Sequence, residues 1–285
     1  MKHTDTILFL NPSSKSKKGQ LNWPCFRQAG FKEIISASAE DMILKVKENP
    51  CKTAVAVGGD GTINLVINGL MQSNTPRKLG VLYSGTSPDF CRFHGISVNP
   101  KEALSQLTHG KPHTIDICKI QYEDGKSYYF ASSCNIGLGS EIARISNKIR
   151  KYFGDTLGTL IAALKSLFTL KYFAATLNID GQVKTFPKLR HIAVLKNKFI
   201  ASGLYLNVDV KPDDGLIYVV ALPQLTLKDL LHIYKGKIPN GAYVFACKDI
   251  LVKTQPTQCT EFDGDPKPIG DVHITCLPKR LEIIK

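Results

Sequence analysis

Gly58-Gly59-Asp60-Gly61-Thr62 brings together, in five consecutive positions, the residue types that a phosphate site needs. Glycines let a backbone turn tightly and approach a ligand, and the first turn of a helix presents unpaired N–H groups that favour an anion. The run directly follows the β-rich segment Thr53-Val57 and directly precedes the helical pattern Ile63-Met71, so strand, turn and helix all fit. A carboxylate in such a loop does not attract phosphate. It acts through a metal ion or orients a hydroxyl, so Asp60 implies Mg2+. The plainer alternative is a Gly-rich turn in which Asp60 caps the helix.

Such a loop must be held by an α/β framework, and the first 120 residues supply one. Strands are expected at Thr6-Leu10, Ile34-Ala37, Thr53-Val57, Leu79-Tyr83 and Ile115-Ile120, with helices at Glu40-Glu48, Ile63-Met71 and Lys101-Leu107. The last helix has Asn99 as its cap and Pro100 at its first position. Beyond Tyr122 the pattern changes. Asp124-Gly125, Asp180-Gly181 and Asp214-Gly215 read as turns between β-rich runs such as Tyr128-Ser132, Ala174-Ile179, His191-Leu195 and Leu216-Val220, and a final strand is expected at Leu281-Ile284. The expected architecture is a doubly wound α/β domain over residues 1–122, followed by an antiparallel β-sandwich over 123–285. Leu157, Leu160, Ile161, Leu164, Leu167 and Phe168 form one apolar stripe at helical spacing, a helical insertion in the sandwich.

The chain has 285 residues, and its 37 Lys+Arg against 24 Asp+Glu leave a net charge of +13. That balance favours phosphate-bearing partners: nucleotides, nucleic acid or anionic lipid headgroups. Nucleic acid ranks last, because no helix-turn-helix, RNP or zinc-finger signature is present. The eight cysteines stand singly with no C-x-x-C pair, which argues against a zinc site or a disulfide framework. The apolar region Leu157 to Ile179 is interrupted by Lys165, Lys171 and Asn178, and the apolar run in MKHTDTILFLNP is too short for a signal peptide. The expectation is a protein of the reducing cytoplasm.

With its sequel, the glycine motif resembles the diacylglycerol kinase catalytic family, and most of all its bacterial soluble lipid kinases. G-G-D-G-T is shared with sphingosine, ceramide and NAD kinases. Asn64 and Asn68-Gly69-Leu70 then fit the lipid-kinase continuation, and Gly85-Thr86-Ser87-Pro88-Asp89-Phe90-Cys91-Arg92 is similar to its G-T-x-N-D-F-A-R. Asn11-Pro12-Ser13-Ser14-Lys15 resembles the N-P-x-S-G loop, Lys211 to Leu216 the D-D-G-L turn, and Phe262-Asp263-Gly264-Asp265 the D-G-E position. The resemblance spans nearly the whole chain.

It implies transfer of the γ-phosphate of ATP to a hydroxyl of a diacylglycerol-like or sphingoid-like lipid in the cleft between the domains, a step of phospholipid metabolism. Gly58 to Thr62 would cradle the phosphates with Asn11, Pro12, Ser13, Ser14, Lys15 and Thr86. Asp60, Asp89 and Asp116 follow successive strand ends and would share Mg2+ at one sheet edge; a helix cap or surface carboxylate is the alternative for Asp89 and Asp116. Asp265, with Asp263 behind it, would be the base, although D-G-D-P is also an ordinary turn. Asp214 and the carbonyls of Lys211 and Leu216 would hold a structural cation.

Pro88, Leu65, Lys15 and Asp265 depart from the family's Asn, Glu, Gly and Glu, which keeps an NAD kinase-like enzyme and a weakened nucleotide or lipid sensor as alternatives. The basic stretch Arg144 to Lys171 reads equally as a face for an anionic membrane or as a solvated surface. A homodimer is left open.

Overall fold

A computed structural model describes residues 5–12, 26, 30–73, 75, 77–153, 161–162, 165–166, 171–201, 204–262 and 265–285. The chain divides into two units, Met1–Ile117 with Lys279–Lys285, and Cys118–Pro278.

The first unit contains β1 (Thr6–Leu10), β2 (Lys32–Ile35), α1 (Ala39–Glu48), β3 (Thr53–Gly58), α2 (Asp60–Met71), β4 (Lys78–Tyr83), α3 (Asp89–His94), α4 (Pro100–His109) and the start of β5 (Pro112–Tyr122). Its strands run parallel in the order β2-β1-β3-β4. Every residue of β1 and β3 is buried, as expected of parallel strands covered on both faces. One core cluster gathers Leu8, Leu10, Val55, Val57 and Leu82 with Ala103 and Leu107 of α4.

Helix starts follow local chemistry. The Asn99 side chain accepts the N–H groups of Lys101 and Glu102 ahead of α4, as expected, and Ser38 does the same for Asp41 at α1. The strand expected at Ile34-Ala37 ends at Ile35 instead. Ser36 turns both its N–H and its hydroxyl to the Leu10 carbonyl, and the Ala37 N–H goes to the Asp41 carboxylate, so both residues serve the approach to α1.

The second unit contains β6 (Ser127–Phe130), β7 (Ser133–Gly137), α5 (Leu138–Phe153), β8 (Phe173–Ile179), β9 (Gln182–Leu189), β10 (His191–Leu195), β11 (Phe199–Ala201), β12 (Leu204–Tyr205), β13 (Ile217–Leu222), α6 (Leu227–Tyr234), β14 (Tyr243–Cys247), β15 (Asp249–Gln255), β16 (Cys259–Phe262), β17 (Asp265–Ile269) and most of β18 (Val272–Ile284). One antiparallel sheet carries β18-β15-β8-β9, and the other runs β14-β13-β10-β7-β16-β17. Leu177, Ile250 and Ile274 from the first meet Ile136, Val194 and Val219 from the second in one core, the expected sandwich. β8 alternates strictly between buried and half-buried residues, as a strand with one face on that core should.

Two long strands contribute to both units. β5 and β18 each pass from one unit into the other, and the end of β18 pairs in parallel with β4 (Glu282 with Lys78, Ile283 with Leu79). The apolar stripe Leu157 to Phe168 lies almost wholly outside the described residues. The described helix α5 precedes it, over a segment where only a basic stretch was legible.

Candidate active site

In the first unit's sheet the chain leaves β1 toward β2 on one side and later adds β3 and β4 on the other. The order therefore reverses between β1 and β3, and ligands of open α/β sheets bind at the carboxyl ends of the strands at such a point. Leu10 pairs with Val57 and Gly58 with Tyr83, so the loops that leave β1, β3 and β4 start from one edge. These are the loops that begin with Asn11, Gly59 and Ser84. Asn11 is half-buried, whereas Pro12 and Thr86 are exposed; Ser13, Ser14 and Lys15 lie outside the described residues.

Two glycines let the β3 and β4 loops cross. A Cβ on Gly85 would lie 2.5 Å from the Gly59 Cα and 2.5 Å from the Tyr83 hydroxyl, closer than real Cβ contacts come. The packing of the protein itself therefore demands glycine at Gly85. Gly61 differs, since a Cβ there meets nothing within 4 Å. It sits in the first turn of α2, whose Gly59 cap provides no side-chain hydrogen bond to the leading N–H groups. Open space at the N-terminal turn of a helix suits an anion.

Asp60 Oδ2 accepts the Asp89 N–H at 3.2 Å and so ties the two loops together. Burial, and after it the negative charge of Asp60, push the phenol of Tyr83 and the thiol of Cys91 well above their ordinary values. A carboxylate whose field reaches buried neighbours in this way suits a cation.

The three carboxylates expected to share Mg2+ do not assemble: among the described residues no three His, Cys, Asp or Glu side chains are placed to hold an ion. Asp89 takes the Ser87 hydroxyl at 3.0 Å and faces Arg92 at 3.6 Å. Asp116, fully buried, accepts the Lys279 N–H at 2.7 Å where Lys279 has a φ of +48°. Asp89 is thus turned to Ser87 and Arg92 and Asp116 to Lys279, whereas Asp60 lies in the first turn of α2 beside Gly61. Mg2+ in phosphotransfer sites is commonly held by one or two carboxylates plus the substrate's phosphates, and Asp60 fits that role.

Asn64 and Asn68 are buried on α2, with Asn68 Nδ2 donating to the Asn64 carbonyl at 2.9 Å and to its side-chain oxygen at 3.1 Å. They brace the helix behind the loop. Pro88 caps α3 without a side-chain bond, so the Asn-to-Pro departure falls where a helix starts.

In the second unit Asp265 opens β17, its backbone paired with Phe262; Asp263 and Gly264 lie outside the described residues. The neighbouring strand holds a buried carboxylate that sequence reasoning missed. Glu261 is 5% exposed and accepts from Asn135 Nδ2 at 2.7 Å. On sequence it reads as an ordinary strand position, and only the pairing of β16 with β7 reveals its burial.

At the Lys211 to Leu216 turn, two of the three oxygens expected to bind a structural cation, the Asp214 carboxylate and the Leu216 carbonyl, are already engaged. Lys196 Nζ lies 2.8 Å from Asp214 Oδ1 and 2.8 Å from the Leu216 carbonyl. Burial pushes the Asp214 carboxyl up, but hydrogen bonds from Lys196, Tyr218 and the Leu216 N–H outweigh it and hold the group below its ordinary value. The residues present do not fit a metal there.

Residues 5–120 match the family model described as the diacylglycerol kinase catalytic domain, and residues 132–285 match the YegS C-terminal NAD kinase beta sandwich-like domain. The chain belongs to the diacylglycerol kinase catalytic-domain family. Among relatives of this family member, a Staphylococcus aureus (strain MRSA252) protein named "Putative lipid kinase" is 26% identical over 239 residues, covering 80% of this chain and 75% of that one. The solved structure described as "a putative diacylglycerol kinase from Bacillus anthracis str. Sterne" superposes with a TM-score of 0.80 at 20% identity, covering 98% of this chain and 97% of that one. Yeast NADH kinase reaches a TM-score of 0.56 at 13% identity, covering 98% and 82%. The fold is thus shared with both groups, while the match over residues 5–120 places the glycine loops in the diacylglycerol kinase family.

Proposed function

We propose that the protein is an ATP-dependent lipid kinase that phosphorylates a hydroxyl of a diacylglycerol-like or sphingoid-like lipid. The observation that carries this reading is the close approach of the Gly59 and Gly85 loops at the ends of β3 and β4, next to the sheet's reversal point, with open space beside Gly61 and Asp60 in the first turn of α2. The leading N–H groups of α2 bind phosphate oxygens, and the tie from Asp60 to the Asp89 N–H sets the spacing of the two loops. Mg2+ arriving with ATP would be held by Asp60 and would neutralise charge on the phosphates.

In the transfer, the lipid oxygen forms a bond to the γ-phosphorus as the bond from that phosphorus to the bridging oxygen breaks, and ADP leaves. The hydroxyl proton passes to a carboxylate of the second unit, assigned in this proposal to Asp265, with Asp263 as second candidate. A lipid acceptor lies in a bilayer, so the enzyme works at an anionic membrane surface, in keeping with its +13 charge. No described helix is long and apolar enough to cross a membrane.

The test is product analysis after incubation with ATP carrying a labelled γ-phosphate and a panel of diacylglycerol, sphingosine, ceramide and NAD. The reading expects label in a lipid. Label in NAD alone would replace it with an NAD kinase, and ATP binding without any labelled product would leave a sensor.

A further inference from the structure

Lys196 is a fully buried lysine, its side chain 1% exposed, in a class of residue that is almost never buried unless paired. Its position follows from register. β10 ends at Leu195, which pairs with Tyr218 of β13, and the Lys196 N–H is held by the Ser132 carbonyl at 2.8 Å. The next side chain therefore emerges beside the start of β13, where the chain has just turned through Gly215. A φ of +73° at Gly215 brings the Asp214 carboxylate and the Leu216 carbonyl to the same point. The lysine Nζ sits at that point, 2.8 Å from each oxygen. The rest of the carboxylate is also occupied: Oδ1 accepts the Leu216 N–H at 3.1 Å, and Oδ2 accepts the Tyr218 hydroxyl at 2.6 Å.

A divalent ion would need the same two oxygens at roughly 2.0–2.6 Å. It could not share them with an ammonium, because the two like charges would stand within a few ångströms in a buried place. We propose that Lys196 is the built-in cation of this turn, and that the second unit requires no structural divalent ion. Its ammonium and the Asp214 carboxylate form a covalently supplied ion pair where the family resemblance implies an exchangeable one. At this turn no divalent ion is then needed, so chelation would not loosen the sandwich here.

Thermal unfolding of the full-length protein without nucleotide tests this, in EDTA and in excess Mg2+ or Ca2+, for wild type, Lys196→Ala and Asp214→Asn. The expected result is one midpoint for wild type in all three buffers. Lys196→Ala should melt lower in EDTA and recover by about 5–10 °C in excess Ca2+ or Mg2+, the shift given by an ion at a hundred times its dissociation constant. A wild-type midpoint that falls in EDTA, with the fall abolished by Asp214→Asn, would overturn the proposal, as would a Lys196→Ala protein that melts with wild type. If Lys196→Ala does not fold, Mn2+ binding to wild type and Asp214→Asn decides. Equal uptake supports the proposal, and an ion bound by wild type but lost in Asp214→Asn overturns it.

Discussion

Gly61→Ala and Gly85→Ala separate what the glycine loops do for the fold from what they do for a ligand. A methyl on Gly61 meets no protein atom within 4 Å, and the residue lies in helical backbone at the start of α2. Alanine is favoured over glycine there by up to about 0.5–1 kcal/mol, so Gly61→Ala should melt about 1–3 °C higher than wild type. The same methyl fills the space assigned to the phosphates and should lower kcat/KM for ATP on the order of 10²-fold. Gly85→Ala puts its Cβ 2.5 Å from the Gly59 Cα, where ordinary contact begins near 3.4 Å, so one backbone must give by about 1 Å. Overpacking of this kind costs about 1–3 kcal/mol, or roughly 3–9 °C. Differential scanning calorimetry with steady-state kinetics over a range of ATP concentrations measures both effects. A Gly61→Ala protein with unaltered kcat/KM for ATP would refute the reasoning, since the open space would then not be where nucleotide binds.

Asp116→Ala empties a buried position and removes the acceptor of the Lys279 N–H, and should cost about 1–3 kcal/mol by urea denaturation, whereas Asp116→Asn keeps an acceptor oxygen and should be nearly neutral; equal losses would contradict the assignment. His191 Nδ1 sits 3.1 Å from the Ile136 carbonyl, and burial lowers its pKa to about 4, below the unfolded value near 6.5. The unfolded chain then takes up the proton first, so this contribution is complete above pH 6.5 and disappears as pH falls to about 4, worth about 3 kcal/mol at most. His191→Gln should flatten stability between those pH values, and an unchanged slope would exclude the histidine as its source. Asn135→Leu removes the 2.7 Å donor to buried Glu261 and should cost about 1–3 kcal/mol in the same denaturation, a loss that adding Glu261→Gln to the Asn135→Leu protein should partly relieve.

What was legible in the chain was local. The Gly58 to Thr62 loop, β1, the end of β3, His191–Leu195 and the Asn99 cap each depend on residues within a few positions, and their chemistry shows in the string itself. What escaped depends on distant partners. Asp116 has its acceptor role because Lys279, 163 positions away, turns there with a positive φ. Lys196 reads as one more surface cation until β10 and β13 pair and bring the turn at Gly215 beside it. Glu261 becomes a buried carboxylate only when β16 lies against β7. The Mg2+ trio was inferred from three strand ends converging on one edge, but Asp116 turns to Lys279 and Asp89 to Ser87 and Arg92, contacts set by the fold and not visible in the string.

The central claim is phosphoryl transfer to a lipid through the Asp60 loop. The most direct measurement is a single-turnover experiment with labelled γ-phosphate of ATP and diacylglycerol or sphingosine in mixed micelles, run with wild type and with Asp60→Ala protein of verified fold. The account predicts labelled lipid from wild type and none above background from Asp60→Ala. Lipid labelled equally by both, or label found only in NAD when that acceptor is offered, would contradict it.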